Sequence, residues 1–268
     1  MIYHFDITAS TNDDARDEKY REGDVVWADF QTAGRGQRGH EWHSRKGENL
    51  TFSVVLEPLF VPIAEQFSVS EVVALSLVDM LAEYGIEAKI KWTNDIYVGD
   101  KKIVGILIEH SLAPTSLRRT VVGIGINVNQ TEFDASLPNP VSMAQLLGRE
   151  LDAEGVLQCF LTHLQRNYEL LREIKNEELK IKNSSNSQLS TLNCQLNGES
   201  HLHERYNALL YRKNEFHTYA LPNGERFNAK IVGTAPSGAL RLERESGEMK
   251  DYLFKEVEFI IQPLAVSH

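Results

Sequence analysis

Glycines and cations are concentrated in one stretch, residues 32–49, with the sequence TAGRGQRGHEWHSRKGEN. Glycine lets backbone amides approach a ligand closely. The arginine guanidinium is a planar, always-charged group that suits carboxylate and phosphate. The same stretch holds Trp42, on which a purine could stack. No hydrophobic periodicity passes through it, so we predict a loop that closes over a large anionic ligand.

Two other interpretations of this stretch are a dinucleotide-binding turn and a flexible hairpin tip. Residues 34–39 fit the pattern G-x-G-x-x-G, but that dinucleotide fingerprint needs a strand before it and an apolar helix opening inside it. A strand at 25–30 is plausible, whereas residues 40–44 (HEWHS) do not open an apolar helix. The dinucleotide interpretation is therefore disfavoured. A flexible hairpin tip on the surface stays open as an alternative.

A second polar group follows at residues 91–95 (KWTND) and 101–102 (KK). These segments are predicted to lie on neighbouring strands joined by tight turns, which would bring together the side chains of Lys91, Asn94, Asp95 and Lys102. Adjacent strand residues face opposite ways, so only one of the two lysines, Lys101 or Lys102, is expected to point into a common site.

Composition narrows the class of protein. The chain has 268 residues, 42% of them hydrophobic and 25% charged, and a net charge of −10. That charge argues against a general nucleic-acid surface, so an anionic ligand must be met by local cations. Two cysteines make neither a disulfide framework nor a metal cluster. With no membrane-length apolar run and no signal peptide, we expect a cytoplasmic protein without nucleic-acid or membrane partners.

Hydrophobic patterning predicts an α+β fold. Strands are expected at 2–7, 25–30, 50–56, 88–92, 101–109 and 120–128, and helices at 65–84, 142–147, 152–182 and 202–210. The polar cluster at residues 10–14 predicts a capped helix over 15–20, although its hydroxyls and amides could also bind a small polar group. For Gly123 and Gly125, tight sheet packing and close backbone approach to a ligand are both open.

The pattern changes after Glu215. Five short alternating runs separated by turn residues predict a small all-β barrel. The polar segment 182–197 reads as a linker. We therefore predict three parts: a catalytic domain at 1–182, a linker with a short helix at 183–213, and a barrel at 214–268.

The predicted loop at residues 32–49 would suit a reaction in which ATP activates a carboxylate. Both reactants are anionic, so the site must supply cations to both, and binding them in one pocket gives proximity. Charge then builds on the leaving pyrophosphate, where cations act electrostatically. The acyl-adenylate is labile to water, and a closing loop would shield it. This chemistry needs no protein nucleophile, and the sequence offers no convincing Ser-His-Asp or Cys-His set.

Five motifs in order resemble those of biotin–protein ligase, also called biotin–[acetyl-CoA-carboxylase] ligase. They are STN at 10–12, QTAGRGQRGHEW at 31–42, KWTND at 91–95, DKKIVGILIE at 100–109 and GIGIN at 123–127. The resemblance implies a mixed or antiparallel sheet with flanking helices, as in class II synthetases, followed by an SH3-like barrel. It also implies a short form without the N-terminal DNA-binding domain of some members, and hence an enzyme that is a ligase only.

The resemblance also implies roles for individual residues. The implied catalytic residues are Lys102, Arg35 and Asp95, with Asp95 also a candidate Mg²⁺ ligand. Implied biotin contacts are Ser10, Thr11, Asn12, Gln31, Gly34, Arg35, Lys102 and Gly105. Implied ATP or adenylate contacts are Arg35, Arg38, Trp42, Asn94, Lys102 and Asn127. Two positions depart from the family pattern: Gln37 stands where many members have Arg, and Thr93 where they have Pro.

The implied substrates are biotin and ATP, with Mg²⁺, and the implied acceptor is a lysine on the biotin carboxyl carrier domain of a carboxylase. The oligomer could be a monomer or a homodimer. Two alternatives remain: a lipoate–protein ligase, whose R-R-x-S-G-G-G type segment is not seen here, and a biotin-binding regulator without catalysis.

Overall fold

A mixed seven-stranded sheet forms the centre of the fold. The computed structural model describes residues 1–37, 41–183 and 198–261. The strands are β1 (Ile2–Phe5), β2 (Val25–Ala28), β3 (Leu50–Leu56), β4 (Lys89–Lys91), β5 (Asp95–Val98), β6 (Lys101–Leu112) and β7 (Leu117–Ile126). Their spatial order is β1-β2-β3-β7-β6-β5-β4, with β1 and β2 parallel and every other pair antiparallel. The predicted α+β class is confirmed.

The two faces of this sheet differ in side-chain size. On β3 and β7, Phe52, Val54, Val122 and Ile124 belong to the main core, under the helices. Because successive strand residues point to opposite faces, Ser53 and the intervening glycines of β7 fall on the other face. Small side chains there leave room above the sheet.

Five helices accompany the sheet within the described residues. They are α1 (Thr11–Asp14), α2 (Phe67–Glu83), α3 (Met143–Leu147), α4 (Ala153–Asn183) and α5 (Gly198–Ala208), with a 3₁₀ turn at Ile63–Glu65. Helix α2 is apolar on almost every side because it packs against α4, α5 and the sheet. Helix α3 begins with the capping box of Ser142 and Gln145. None of the described helices is long and apolar enough to cross a membrane.

One helix was predicted wrongly. The polar cluster at 10–14 does not cap a helix over 15–20; Thr11–Asp14 is itself the single helical turn, and the following residues form turns. The physical reason is Arg119, whose guanidinium donates to the carbonyl oxygens of Ala15, Asp17 and Tyr20 at 2.9–3.1 Å. Those carbonyls are therefore satisfied without helical bonds.

The C-terminal part is a five-stranded antiparallel sheet, which confirms the predicted all-β character of this region. Its strands are β8 (Phe216–Ala220), β9 (Arg226–Thr234), β10 (Leu240–Arg244), β11 (Met249–Tyr252) and β12 (Glu258–Phe259), in the order β11-β10-β9-β8-β12. Trp92 donates from Nε1 to the Gly238 carbonyl at 2.8 Å, and buried residues of both sheets join one hydrophobic core. The linker predicted at 182–197 lies mostly outside the described residues, and the domain boundaries stay predictions.

Candidate active site

A cavity of about 450 Å³ lies above the small-residue face of the seven-stranded sheet. Gly105 on β6 and Gly123 and Gly125 on β7 line it from below. Its volume falls within the range typical of small-molecule sites. Polar side chains from α1, β4, β5, β6 and the glycine–arginine loop (residues 32–49) surround it, and they form two ends of different character.

The first end is neutral, and we call it the amide end: Thr11, Asn12 and Gln31 line the cavity, and Ser53 hydrogen-bonds to Thr11 and Asn12. Gln31 Oε1 accepts from the Thr11 backbone N–H at 2.8 Å. The Ser53 hydroxyl lies 2.6 Å from Asn12 Oδ1 and 2.8 Å from Thr11 Oγ1. Thr11, Asn12 and Ser53 are each less than 5% exposed. The polar groups of the amide end therefore hydrogen-bond to one another within the protein.

Gly123 makes the amide end possible. A Cβ at this position would lie 2.0 Å from Asn12 Oδ1. The asparagine side chain also donates from Nδ2 to Glu109 Oε2 at 3.0 Å, so it is held from more than one side. Of the two explanations left open for this glycine, its role is close approach to a site residue.

The second end, the cationic end, contains Lys91, Asp95 and Lys102. Lys102 Nζ lies 2.7 Å from one oxygen of Asp95, and Lys91 Nζ lies 3.7 Å from the other. A bulge between Ile96 and Tyr97 shifts the β5–β6 register. It places the Lys102 side chain on the same face as Gly105, with Lys102 Cε 3.3 Å from where a Gly105 Cβ would stand. The neighbouring Lys101 is exposed and does not line the cavity.

Trp42 lies between the two ends. Its indole rests on the glycines of β6 and β7, where a Cβ on Gly125 would come within 2.2 Å of the ring and one on Gly105 within 2.8 Å. Lys102 Nζ is 5.8 Å from the ring centroid. The indole N–H is buried without a hydrogen-bond partner. A buried donor without a partner is unfavourable, so a ligand acceptor here would be stabilised.

Arg35, from the glycine–arginine loop, forms ion pairs with two carboxylates. Its Nη2 lies 2.8 Å from Asp13 and 3.0 Å from Glu109 Oε2. Arg16 contacts the same two carboxylates at 3.1 and 2.7 Å. Burial alone would raise the pKa of Glu109, but the Asn12 hydrogen bond and the two arginine charges outweigh it and hold that pKa below its ordinary value.

The remaining predicted residues divide into three groups. Ser10 and Asn94 line the cavity, as does Gln37, the position of the first departure from the family pattern. Gly34 lets the two arms of the loop cross, since its carbonyl accepts from the Trp42 N–H at 2.9 Å and a Cβ would meet the Trp42 carbonyl. Arg38 lies outside the described residues.

Asn127 differs from expectation. It is 4% exposed and does not line the cavity. Its Nδ2 donates to the Val141 carbonyl at 3.1 Å, and its backbone N–H to Ile103 at 3.0 Å. Asn127 follows the last residue of β7. It bonds to Ile103, the chain neighbour of Lys102, and to Val141, whose N–H bonds to the Lys102 carbonyl, so it supports the backbone around Lys102.

Several site residues escaped sequence reasoning. Ser53 and Glu109 are polar positions next to apolar residues of β3 and β6 and contact residues of the site, and strand alternation could have indicated them. Phe254 and Phe259 of the C-terminal part also line the cavity, and the Phe259 ring lies 5.5 Å from Lys91 Nζ. Nothing in the local sequence indicated that contribution.

A resident metal ion does not fit this donor set. Both Asp95 oxygens already face lysines. Within the described ranges, no group of three or more His, Cys, Asp or Glu side chains could hold a metal ion.

The site residues described above fall largely within one matched segment. Residues 4–127 match the family model described as Biotin/lipoate A/B protein ligase family. The matched segment is similar to this family and makes up slightly less than half of the chain. The predicted resemblance to biotin–protein ligases is thus confirmed.

Similar proteins include a bifunctional ligase/repressor BirA from Bacillus subtilis, 37% identical over 175 residues, which are 63% of this chain and 53% of that protein. A biotin–[acetyl-CoA-carboxylase] ligase from Paracoccus denitrificans is 35% identical over 139 residues, 49% of this chain and 57% of that protein. The matched part spans about half the length of these two relatives.

The fold is that of solved biotin protein ligases. A structure of the Aquifex aeolicus biotin protein ligase in complex with biotin and ATP superimposes with a TM-score of 0.75, at 24% identity. It covers 97% of this chain and 99% of that chain, so the correspondence extends through the C-terminal sheet.

Proposed function

We propose that this protein is an ATP-dependent ligase that activates biotin as biotinyl-5′-AMP and transfers it to a lysine of a biotin carboxyl carrier domain. The observation that carries the proposal is the cavity itself: one sheet face joins a buried amide end to a cationic end. A ligand with a neutral polar head and a carboxylate tail would match both ends.

In the first step, a biotin carboxylate oxygen attacks the α-phosphorus of ATP, and the bond from that phosphorus to the pyrophosphate oxygen breaks. Thr11, Asn12 and Gln31 supply hydrogen-bonding groups for the polar head. Lys102, joined by Arg35 from the loop, balances the charge of the carboxylate and the α-phosphate, which would otherwise repel each other. Trp42 offers an aromatic surface to the adenine.

In the second step, the ε-amine of the acceptor lysine attacks the acyl carbon of the mixed anhydride, and AMP leaves with the bonding electrons. The attacking amine must lose a proton and needs an acceptor near its path. Asp95 is suited to orient this amine, since its carboxylate already pairs with ammonium groups at 2.7 and 3.7 Å.

Magnesium would accompany ATP instead of occupying a preformed protein site. Mg²⁺ commonly takes most of its ligands from substrate phosphates and water, with one or two carboxylates. We derive no step through it.

A calorimetric titration tests the proposal directly. Biotin and lipoate are each titrated into the protein with and without ATP, and pyrophosphate release is measured in parallel. We expect biotin to bind and, with ATP, to release pyrophosphate, while lipoate does neither. Lipoate-dependent pyrophosphate release would favour the lipoate ligase, and biotin binding without pyrophosphate release would favour a regulator.

Transfer is tested separately with a purified carrier domain. Biotin attachment to the wild-type domain, but not to one whose acceptor lysine is replaced by arginine, is the expected result. Adenylate formation without transfer to several carrier domains would contradict the second step.

A further inference from the structure

The observed position of Arg35 differs from the position that the proposed function requires. Arg35 is paired with Glu109, whereas Lys102 is paired with Asp95. Lys102 and Glu109 are seven residues apart on β6, which corresponds to about 20 Å along an extended strand. One carboxylate or phosphate group bound by both Arg35 and Lys102 would therefore replace at least one of these pairings.

We propose that Asp13 and Glu109 form a carboxylate latch, which holds Arg35 away from Lys102 until an anionic acyl-phosphate ligand takes the guanidinium from them. This inference rests on the proposed function and deepens it. The latch residues come from two elements, α1 and β6, and the guanidinium that they hold comes from the loop.

The charges and the exposure of the latch suit a contact that opens. The side chains of Arg35, Asp13 and Glu109 are 36%, 47% and 28% exposed. Ion pairs in contact with water stabilise weakly because solvent screens them. Arg16 stays behind to neutralise both carboxylates when Arg35 leaves, since it contacts Asp13 and Glu109 independently. Opening the latch therefore leaves no carboxylate unpaired.

Glu109 also connects the latch to the amide end. The same oxygen, Oε2, accepts from Asn12 Nδ2 at 3.0 Å and from Arg35 at 3.0 Å. Glu109→Gln is the informative variant, because a glutamine oxygen can still accept from Asn12 while the charge that attracts Arg35 is lost. Asp13→Asn removes the other charge and touches none of the amide-end contacts.

The test is the association rate of preformed biotinyl-5′-AMP, followed by stopped-flow tryptophan fluorescence. We expect the rate constant to rise about two- to fivefold in Glu109→Gln and in Asp13→Asn, the range that an exposed ion pair of up to about 1 kcal/mol allows. Glu18→Gln makes the same change in net charge outside the cavity lining. The Glu18 side chain is 85% exposed and pairs with Arg118, so this variant should leave the rate unchanged.

A thermal-unfolding cycle gives a second, independent readout. Wild type, Arg35→Ala, Glu109→Gln and the double variant are compared with and without biotinyl-5′-AMP. The latch predicts coupling between the two positions in the ligand-free protein and loss of that coupling when the adenylate is bound.

The outcomes separate the two proposals. A wild type that does not bind biotinyl-5′-AMP overturns the proposed function and the latch with it. A wild type that binds it, with equal or slower association in both charge variants, overturns the latch alone. Coupling that persists unchanged in the adenylate complex would also overturn the latch.

Discussion

The amide end and the cationic end of the cavity differ in the charge and the burial of their polar side chains. At the amide end, Ser53, Thr11 and Asn12 are 0%, 3% and 4% exposed, and neutral donors and acceptors satisfy one another. At the cationic end, the side chains of Lys102 and Asp95 are 32% and 27% exposed and form an ion pair. Neutral groups can be buried once they are hydrogen-bonded, whereas burying charges costs far more.

The comparison teaches which part of the site can be preformed. Because the amide end is buried and satisfied, it can present a fixed pattern to a neutral head group. The cationic end keeps its charges paired internally and partly in water, so it must exchange partners when an anion arrives. Mutations at the first end should therefore cost stability, and mutations at the second should cost chemistry.

The largest expected effect is at the cationic end. Lys102→Ala should lower the rate of adenylate formation about 10²- to 10³-fold, the typical cost of removing one group that stabilises developing charge. Folding stability should change little, since the side chain is about one-third exposed. Pyrophosphate release is the measurement, and the exposed neighbour variant Lys101→Ala is the matched control. Equal losses in the two variants would mean that the wrong lysine has been assigned to the cavity.

The next effect compares the two ends through two glycines of one strand, Gly123 and Gly125 of β7. Gly123→Ala should lower the free energy of unfolding by about 3 kcal/mol, near the upper end for overpacking, because the new methyl meets the fixed side chain of Asn12. Gly125→Ala should cost about 1 kcal/mol, because it meets the half-buried indole of Trp42, which can move aside. Urea unfolding of both variants provides the comparison. A larger loss for Gly125→Ala would reverse our assignment of the rigid end.

A smaller effect sharpens the account of the amide end. Ser53→Ala should cost about 1–2 kcal/mol, since it leaves Asn12 Oδ1 buried without its hydroxyl partner. It should also weaken biotin binding. Thr51→Ala is the control, because Thr51 is on the same strand and equally buried but bonds to the Ala28 carbonyl outside the cavity. A matching fall in biotin affinity in both variants would indicate a general effect of strand stability.

The smallest expected effect is a pH dependence at Glu109. Its folded-state pKa lies below the ordinary value of 4.5, so its charge stabilises the fold above that value. This contribution is lost as pH falls through the folded-state pKa, where both folded and unfolded forms become protonated. The melting temperature of wild type should exceed that of Glu109→Gln above pH 4.5, and the difference should shrink at lower pH. A difference that grows on acidification would contradict the assigned direction.

Much of the fold follows from local patterns in the sequence. Short apolar runs in residues 50–56 and 101–109 predict strands, and the helical spacing over 152–182 predicts the long helix α4, because these patterns follow from local backbone geometry. The five C-terminal runs were predictable for the same reason. The segment at 15–20 was not, because its conformation depends on Arg119, about a hundred positions away in the chain.

The sequence by itself determined which chemistry the site could support. Glycines beside arginines and the paired lysines near Asp95 indicated an anionic ligand through their residue types alone. Only the tertiary structure decided which partners these groups take. The β5–β6 bulge selects the face of Lys102, the loop brings Arg35 to Glu109 on β6, and the C-terminal part supplies Phe254 and Phe259. Such contacts join residues that are far apart in the chain, and their geometry depends on packing, which no local sequence pattern records.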